Sequence, residues 1–120
     1  MKRIHALRLP FLGICCLLAS CQPPGEGRKA VHGMEKGAEI ISALEAFRST
    51  AGRYPRSLQE LGGGYEGADL DYDSVGVMYH YSSSAEERFS LSFNYHGPGT
   101  NTCSLVPDVS PPDWDCTGAY

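Results

Sequence analysis

The fold is decided by residues 75–95, VGVMYHYSSSAEERFSLSFNY, in which large apolar and small or polar residues alternate on both sides of a polar segment. Apolar side chains stand at Val75, Val77, Tyr79 and Tyr81, and then at Phe89, Leu91, Phe93 and Tyr95. A period of two is typical of strands with one buried face. The polar segment from Ser83 to Glu87 is typical of a hairpin turn. We therefore predict two paired antiparallel strands with these apolar side chains facing the core.

Two further strands are predicted after this hairpin. The sequence HGPGT at residues 96–100 is rich in turn-forming residues, and a third strand should follow around Thr102–Val106. A loop from Pro107 to Pro112 then leads to a short strand around Trp114–Thr117. The predicted sheet therefore has three or four antiparallel strands.

A helix is predicted before the sheet. Its apolar residues recur every three or four positions, which places them on one face; they are Val31, Met34, Ala38, Ile41, Leu44 and Phe47. Gly52 supplies a residue that ends helices in the left-handed conformation, and Pro55 prevents continuation.

A second, short helix should begin at Ser57. The sequence Ser57-Leu58-Gln59-Glu60 fits a capping box, in which the Ser hydroxyl and the Glu carboxylate accept hydrogen bonds from free backbone N–H groups. Leu58 and Leu61 would pack back on the long helix with Tyr54 between them. The sequence thus predicts an α+β fold, with one long N-terminal helix and a short helix packed on the sheet.

The first 21 residues resemble a bacterial lipoprotein signal peptide. Lys2, Arg3 and Arg8 precede the apolar run Leu9–Ala19, and Leu18-Ala19-Ser20-Cys21 is similar to a lipobox. The resemblance implies cleavage between Ser20 and Cys21 and a diacylglycerol anchor on Cys21. A transmembrane helix needs about 20 apolar residues, more than this run contains. An ordinary secretory signal and a retained short anchor are the alternatives.

The signal implies a location and three segments. Gln22 after the acceptor differs from the Asp that resembles an inner-membrane retention signal, which favours the outer membrane, on either of its faces. We predict a signal peptide at residues 1–20, a Pro- and Gly-rich tether at residues 21–30, and one domain at residues 31–120.

Loss of the signal leaves seven Lys and Arg against 14 Asp and Glu. This balance argues against nucleic acid as a partner.

The cysteines divide according to this location. Cys15 and Cys16 leave with the signal and Cys21 takes the lipid, so that Cys103 and Cys116 remain as a pair. An exported chain lies in an oxidising compartment, where such a pair should form a disulfide. Metal binding and two free thiols are the alternatives.

Motifs of catalysis and metal binding are poorly matched. Residues 62–67 fit the letters of G-x-G-x-x-G without the strand and helix that this motif needs. Residues 69–73 resemble the opening of a calcium loop, but Ser74 and His80 stand where that loop has Gly and Glu. Neither a nucleophile motif nor a zinc-protease motif is found. We predict no enzymatic activity, no catalytic residue and no metal site. Of the aromatic residues, Tyr65, Tyr72, Trp114 and Tyr120 are the candidates for the surface.

The segment from Ile41 to Leu61 resembles the head domain of type II secretion pseudopilins. The matching features are Ala43-Leu44-Glu45-Ala46-Phe47, the Gly52-Arg53-Tyr54-Pro55 stop and the short second helix. The two late cysteines further resemble the disulfide-closed C-terminal loop of type IV pilins. Pilins also carry a cleavage motif and an apolar stem, and the stem packs their filaments. Neither feature has a counterpart here. Pseudopilins bind calcium in their C-terminal loop, and the resemblance implies Asp108, Asp113 and Asp115 as the corresponding ligands here.

These features together imply a lipid-anchored protein whose pilin-like head contacts another envelope protein. The candidate interaction loop lies between the two late cysteines and contains Asp108, Asp113, Trp114 and Asp115. An aromatic residue in a rigid loop makes a good interaction anchor; the alternative is that Trp114 fills the edge of the sheet. Binding of glycan or peptidoglycan is the alternative function. We expect no cofactor other than the lipid.

Overall fold

The computed structural model of the chain describes residues 23–62, 64, 72–84 and 87–118. Helix α1 spans Arg28–Ala51, a one-turn 3-10 helix spans Leu58–Leu61, and four strands follow as β1 (Val77–Ser84), β2 (Arg88–His96), β3 (Thr100–Leu105) and β4 (Trp114–Gly118). The strands form one antiparallel sheet in the order β1-β2-β3-β4, with α1 packed on one face. The fold is therefore α+β, with one helix on a four-stranded sheet.

Helix α1 ends where the sequence predicts and begins earlier. Gly52 adopts the left-handed conformation with φ 75°, and its N–H donates to the carbonyl of Arg48 at 2.8 Å. The helix starts at Arg28, three residues before Val31, and the Val31 N–H bonds the Gly27 carbonyl at 3.0 Å.

The buried face of α1 differs from the predicted face. The residues buried under the sheet are Ala30, Gly33, Gly37, Ile40 and Leu44. Val31 is 49% exposed and Ala38 is also exposed, so both were wrongly assigned to the core. The cause is that Gly33 and Gly37, which carry no apolar side chain, lie directly under aromatic rings of the sheet.

The strand pattern is confirmed over most of its length. Val77 and Tyr79 of β1 and Leu91, Phe93 and Tyr95 of β2 are all buried. Tyr79 pairs with Phe93, and Val77 with Tyr95, so the inward side chains of the two strands lie side by side.

Val75 departs from this pattern. It lies before β1 in a turn and is 39% exposed. The reason is that the carboxylate of Asp73 accepts hydrogen bonds from the N–H groups of the next residues and thereby holds them in a turn.

A disulfide joins the last two strands. Cys103 and Cys116 lie directly opposite in the register of β3 and β4, and their sulfurs are bonded. Cys103 is fully buried in the core. The segment between the strands is further closed by a hydrogen bond of 2.9 Å from the Val106 N–H to the Asp113 carbonyl.

The short helix packs as predicted, but its cap differs. Leu58 is fully buried, and Tyr54 belongs to the same core cluster. The Ser57 side chain makes no capping hydrogen bond. Instead, the Glu60 carboxylate accepts the Arg56 N–H at 2.6 Å, because one turn of 3-10 helix does not return Glu60 to the Ser57 N–H.

The chain before α1 forms a turn and contacts the sheet through Gly25. The Glu26 N–H bonds the Pro23 carbonyl at 3.1 Å, and the Gly25 N–H donates to the Tyr95 hydroxyl at 2.9 Å. Much of the predicted tether at residues 21–30 therefore belongs to the folded structure; residues 21 and 22 lie outside the described part. In that part, no helix is long and apolar enough to cross a bilayer.

Candidate functional site

Trp114 is turned towards the helix and away from the loop that precedes it. Its ring lies 5.1 Å from the Phe93 ring, centroid to centroid, in a T-shaped arrangement, and it also contacts Gly37 of α1. The side chain is half-buried against the core. This position agrees with the alternative that Trp114 fills the edge of the sheet, and the residue remains partly exposed, so its role as an interaction anchor stays a prediction.

The three aspartates of the predicted interaction loop point in different directions. Asp108 is exposed at the left-handed φ of 59°, and Asp113 accepts the Trp114 N–H at 2.9 Å. Asp115 pairs with Ser104 and lies on the sheet face opposite to Trp114, because alternate residues of a strand face opposite sides. Among the residues described here, no three His, Cys, Asp or Glu side chains lie close enough to hold a metal ion. The calcium ligands implied by the pseudopilin resemblance are therefore not gathered.

A groove lies between the C-terminal half of α1 and the loop that joins β3 to β4. Its volume is about 660 Å³, and the β1–β2 hairpin closes one end. Ile41 of α1, Phe89 of β2 and Leu105 of β3 form an apolar floor, and each of these side chains is only half-buried. We call this feature the groove. It exists because α1 covers β1 and β2 and leaves the end of β3 open.

The loop from Val106 to Pro112 forms the outer wall of the groove. Val109 projects from this wall and is 45% exposed, although its side chain is apolar. Prolines at positions 107, 111 and 112 restrict the backbone around it. The loop therefore presents an apolar side chain in a segment that has little conformational entropy to lose on binding.

The inner wall of the groove carries a linked charged group. The Tyr54 hydroxyl donates to Glu45 Oε1 at 2.8 Å and accepts from Arg48 Nη1 at 3.1 Å. The Arg48 guanidinium also lies 4.8 Å from the centre of the Tyr54 ring. Burial, followed by the hydrogen bond to Glu45, raises the pKa of Tyr54, so its hydroxyl stays protonated. The hydrogen bond from Arg48 to Tyr54 raises the pKa of Arg48, and the wall holds one carboxylate and one guanidinium.

A second polar cluster lies at the other end of the helix. Asp73 Oδ2 contacts His32 Nε2 at 2.8 Å and Lys36 Nζ at 3.3 Å, and Oδ1 accepts three backbone N–H groups, including that of Val77. Burial raises the pKa of Asp73, but the hydrogen bonds from Val77, His32, Val75 and Lys36 outweigh it and lower the pKa. Every oxygen of the carboxylate is thus engaged within the fold, and the cluster fastens α1 to the start of β1.

The open face of the sheet is polar and almost uncharged in its centre. Asn94 donates to His80 Nε2 at 2.9 Å and accepts from the Thr102 hydroxyl at 2.9 Å, and Ser82 and Ser90 bond each other at 2.6 Å. These side chains satisfy one another along the surface.

The remaining predicted positions fall outside this area. The ring of Tyr72 lies 5.0 Å from that of His96, at the end of the sheet remote from the groove. Ser20, Cys21, Tyr65 and Tyr120 lie outside the described residues.

The outer wall of the groove, including Asp108, lies within the interaction loop that the sequence predicts, whereas its inner wall was not predicted. Ile41 was assigned to the core, and Glu45 and Arg48 were given no functional role. Val109 lies beside Asp108 in the predicted interaction loop but was not named there, although it is an apolar residue in a Pro-rich loop. The others could not be found, because three segments distant in sequence form the groove.

Comparisons of the chain with protein-family models, with curated proteins and with solved structures give no match.

Proposed function

We propose that the chain is a non-catalytic lipoprotein of the bacterial outer membrane, anchored through Cys21, whose pilin-like head binds another envelope protein in the groove. The observation that carries this proposal is the combination of an exposed apolar side chain, Val109, with a half-exposed apolar floor in one concave surface. Exposed apolar surface in a concave site with a polar rim is typical of protein-interaction sites.

The chemistry of the groove favours a protein segment as the ligand. The floor of Ile41, Phe89 and Leu105 can accept an apolar side chain, and Glu45 and Arg48 on the rim can pair with charges of either sign. A segment with an apolar side chain flanked by polar residues fits both parts.

The order of elements supports the pilin-like part of the proposal. A helix, a Gly-x-Tyr-Pro stop, a short helix and a four-stranded antiparallel sheet follow one another along the chain. The disulfide closes the C-terminal part as in the type IV pilins that the sequence resembles.

Site-specific photocrosslinking in intact cells tests this function. A photoreactive residue replaces Val109 in one version of the lipoprotein and Val75 in the matched control, because both valines are exposed and only Val109 lines the groove. We expect discrete crosslinked proteins from position 109 that are absent or several-fold weaker from position 75.

Two results contradict the proposal. Equal crosslinking from both positions would show contact without selectivity for the groove. Crosslinking of position 109 to peptidoglycan or another glycan would favour the alternative function instead.

A further inference from the structure

The folded part of the chain begins close to the predicted lipid anchor. Gly25 donates its N–H to Tyr95, and a Cβ atom on Gly25 would stand 2.9 Å from the sulfur of Cys116. Gly25 also has a φ of 88°, a backbone conformation that residues with a side chain rarely adopt. The segment from Pro23 to Gly27 is thus fastened to the sheet by a contact that requires glycine.

Little chain remains between this contact and Cys21. Four peptide units separate Cys21 from Gly25, which span at most about 14 Å. A connection of this length limits how far the domain can move from a bilayer that holds the lipid of Cys21. The surface near Pro23 must therefore stay close to the lipid headgroups when Cys21 carries lipid.

The groove lies at the opposite end of the helix. Ile41 and Arg48 follow the start of α1 by 13 and 20 residues, which at 1.5 Å per residue correspond to about 20 and 30 Å along the axis. When the axis of α1 points away from the bilayer, the groove therefore stands about 20 to 30 Å farther from the headgroups than the start of the helix.

The charge at the start of the helix favours an anionic surface. Arg28 and Lys29 are exposed in the first turn of α1, which has no acidic residue; the Lys29 ammonium donates to the His96 carbonyl at 2.9 Å, and Glu26 just before the helix is also exposed. Cations are unfavourable there, because the helix dipole places partial positive charge at this end. A layer of anionic phospholipid headgroups would offset this repulsion.

We propose that the surface around Pro23, Arg28 and Lys29 lies on the phospholipid headgroup layer, so that the groove is held facing away from the membrane. This orientation rests on the proposed lipid anchor at Cys21. It would present the groove to proteins beyond the bilayer surface.

Fluorescence quenching on vesicles tests the orientation. The full lipidated protein is placed in vesicles of phosphatidylethanolamine and phosphatidylglycerol that contain a lipid with a spin label on its headgroup. A fluorophore is attached to Val31→Cys, near the start of the helix, or to Val109→Cys, at the groove; both sites are similarly exposed. We expect several-fold stronger quenching at position 31. Equal quenching, or stronger quenching at position 109, would overturn the orientation.

Two changes test the role of the short connection. A long Gly-Ser segment inserted between Gln22 and Pro23 should make quenching equal at the two positions. Gly25→Ala should reduce the difference in quenching between positions 31 and 109. Gly52→Ala is the control, because Gly52 also has a positive φ but a Cβ atom added there would have no atom within 4 Å; this variant should leave the difference unchanged. If the insertion left the difference intact, the connection would not set the orientation.

The outcome can be separated from failure of the proposed function. The mass of the extracted protein shows beforehand whether Cys21 carries lipid. A lipidated protein with equal quenching overturns the orientation alone, whereas a protein without lipid overturns the proposed anchor.

Discussion

Gly37 of α1 lies against the indole ring of Trp114 in β4, so closely that a Cβ atom at position 37 would stand 2.6 Å from Trp114 Cζ2. One turn earlier, Gly33 lies under the ring of Phe93 in the same way. The two glycines let the helix backbone approach the rings of the sheet. The position of α1 on the sheet, and with it the inner wall of the groove, depends on these contacts.

We predict that Gly37→Ala destabilises the protein by about 1–2 kcal/mol, although Ala favours the helix over Gly by about 1 kcal/mol. The added methyl group would displace Trp114 from its contact with the helix. Ser42→Ala, at an exposed position of the same helix, is the control and should be neutral or slightly stabilising. Chemical unfolding measures both, and a Gly37→Ala variant as stable as the parent would show that the contact is not tight.

The phase of the helix makes a second prediction. Leu44→Asp should unfold the domain, because Leu44 is fully buried and an unpaired buried carboxylate costs several kcal/mol out of a total of about 5 to 15. Val31→Asp should be tolerated, since Val31 is half exposed. Circular dichroism melts measure the stability of both variants. If Val31→Asp unfolded the domain and Leu44→Asp did not, the buried face of α1 would be the opposite of the one assigned.

Removal of the disulfide should weaken the fold without changing it. The double variant Cys103→Ala, Cys116→Ala opens a loop closed across 13 positions, and the chain-entropy model gives a loss of about 3 kcal/mol for a loop of this size. Unfolding in denaturant with and without reductant should show the same loss in the parent protein. A parent protein insensitive to reductant would mean that the two thiols are free in solution.

Acid should release the contact between α1 and the start of β1. Because the folded pKa of Asp73 is lowered, its stabilisation is complete above the unfolded value of about 3.9 and is lost as the pH falls towards the folded value. Asp73→Asn should cost about 1–3 kcal/mol at neutral pH and flatten the loss of stability below about pH 5. Asp115→Asn, at an exposed site, is the control. Identical pH profiles for Asp73→Asn and the parent would show that Asp73 contributes nothing.

The strands were predictable because their signal is local. Alternation of Tyr, Phe and Leu with Ser and Asn in residues 77–95 defines both the strands and their inner face, and Gly52 marks the end of the helix. Pairing of Cys103 with Cys116 was predicted from the number of cysteines expected to remain once the predicted signal peptide is removed, and the structure joins the two.

The helix face and the groove were not predictable in the same way. Hydrophobic periodicity counts apolar side chains, whereas Gly33 and Gly37 are buried because they have none. The groove lies where α1 no longer covers the sheet. The distance between α1 and the sheet is set by contacts such as that of Gly37 with Trp114. Such contacts join residues far apart in the chain and leave no local pattern.

The proposed lipid anchor can be tested by fractionating cells that express the parent chain, Cys21→Ala, or Cys16→Ala as the matched control. The acyl chains supply about 0.8 kcal/mol per buried methylene and would be the anchor that remains after cleavage. We predict that the parent and Cys16→Ala are found in the membranes with the mass of a lipid on Cys21, and that Cys21→Ala is soluble or unprocessed. A Cys21→Ala protein that is cleaved normally and stays in the membranes would contradict it.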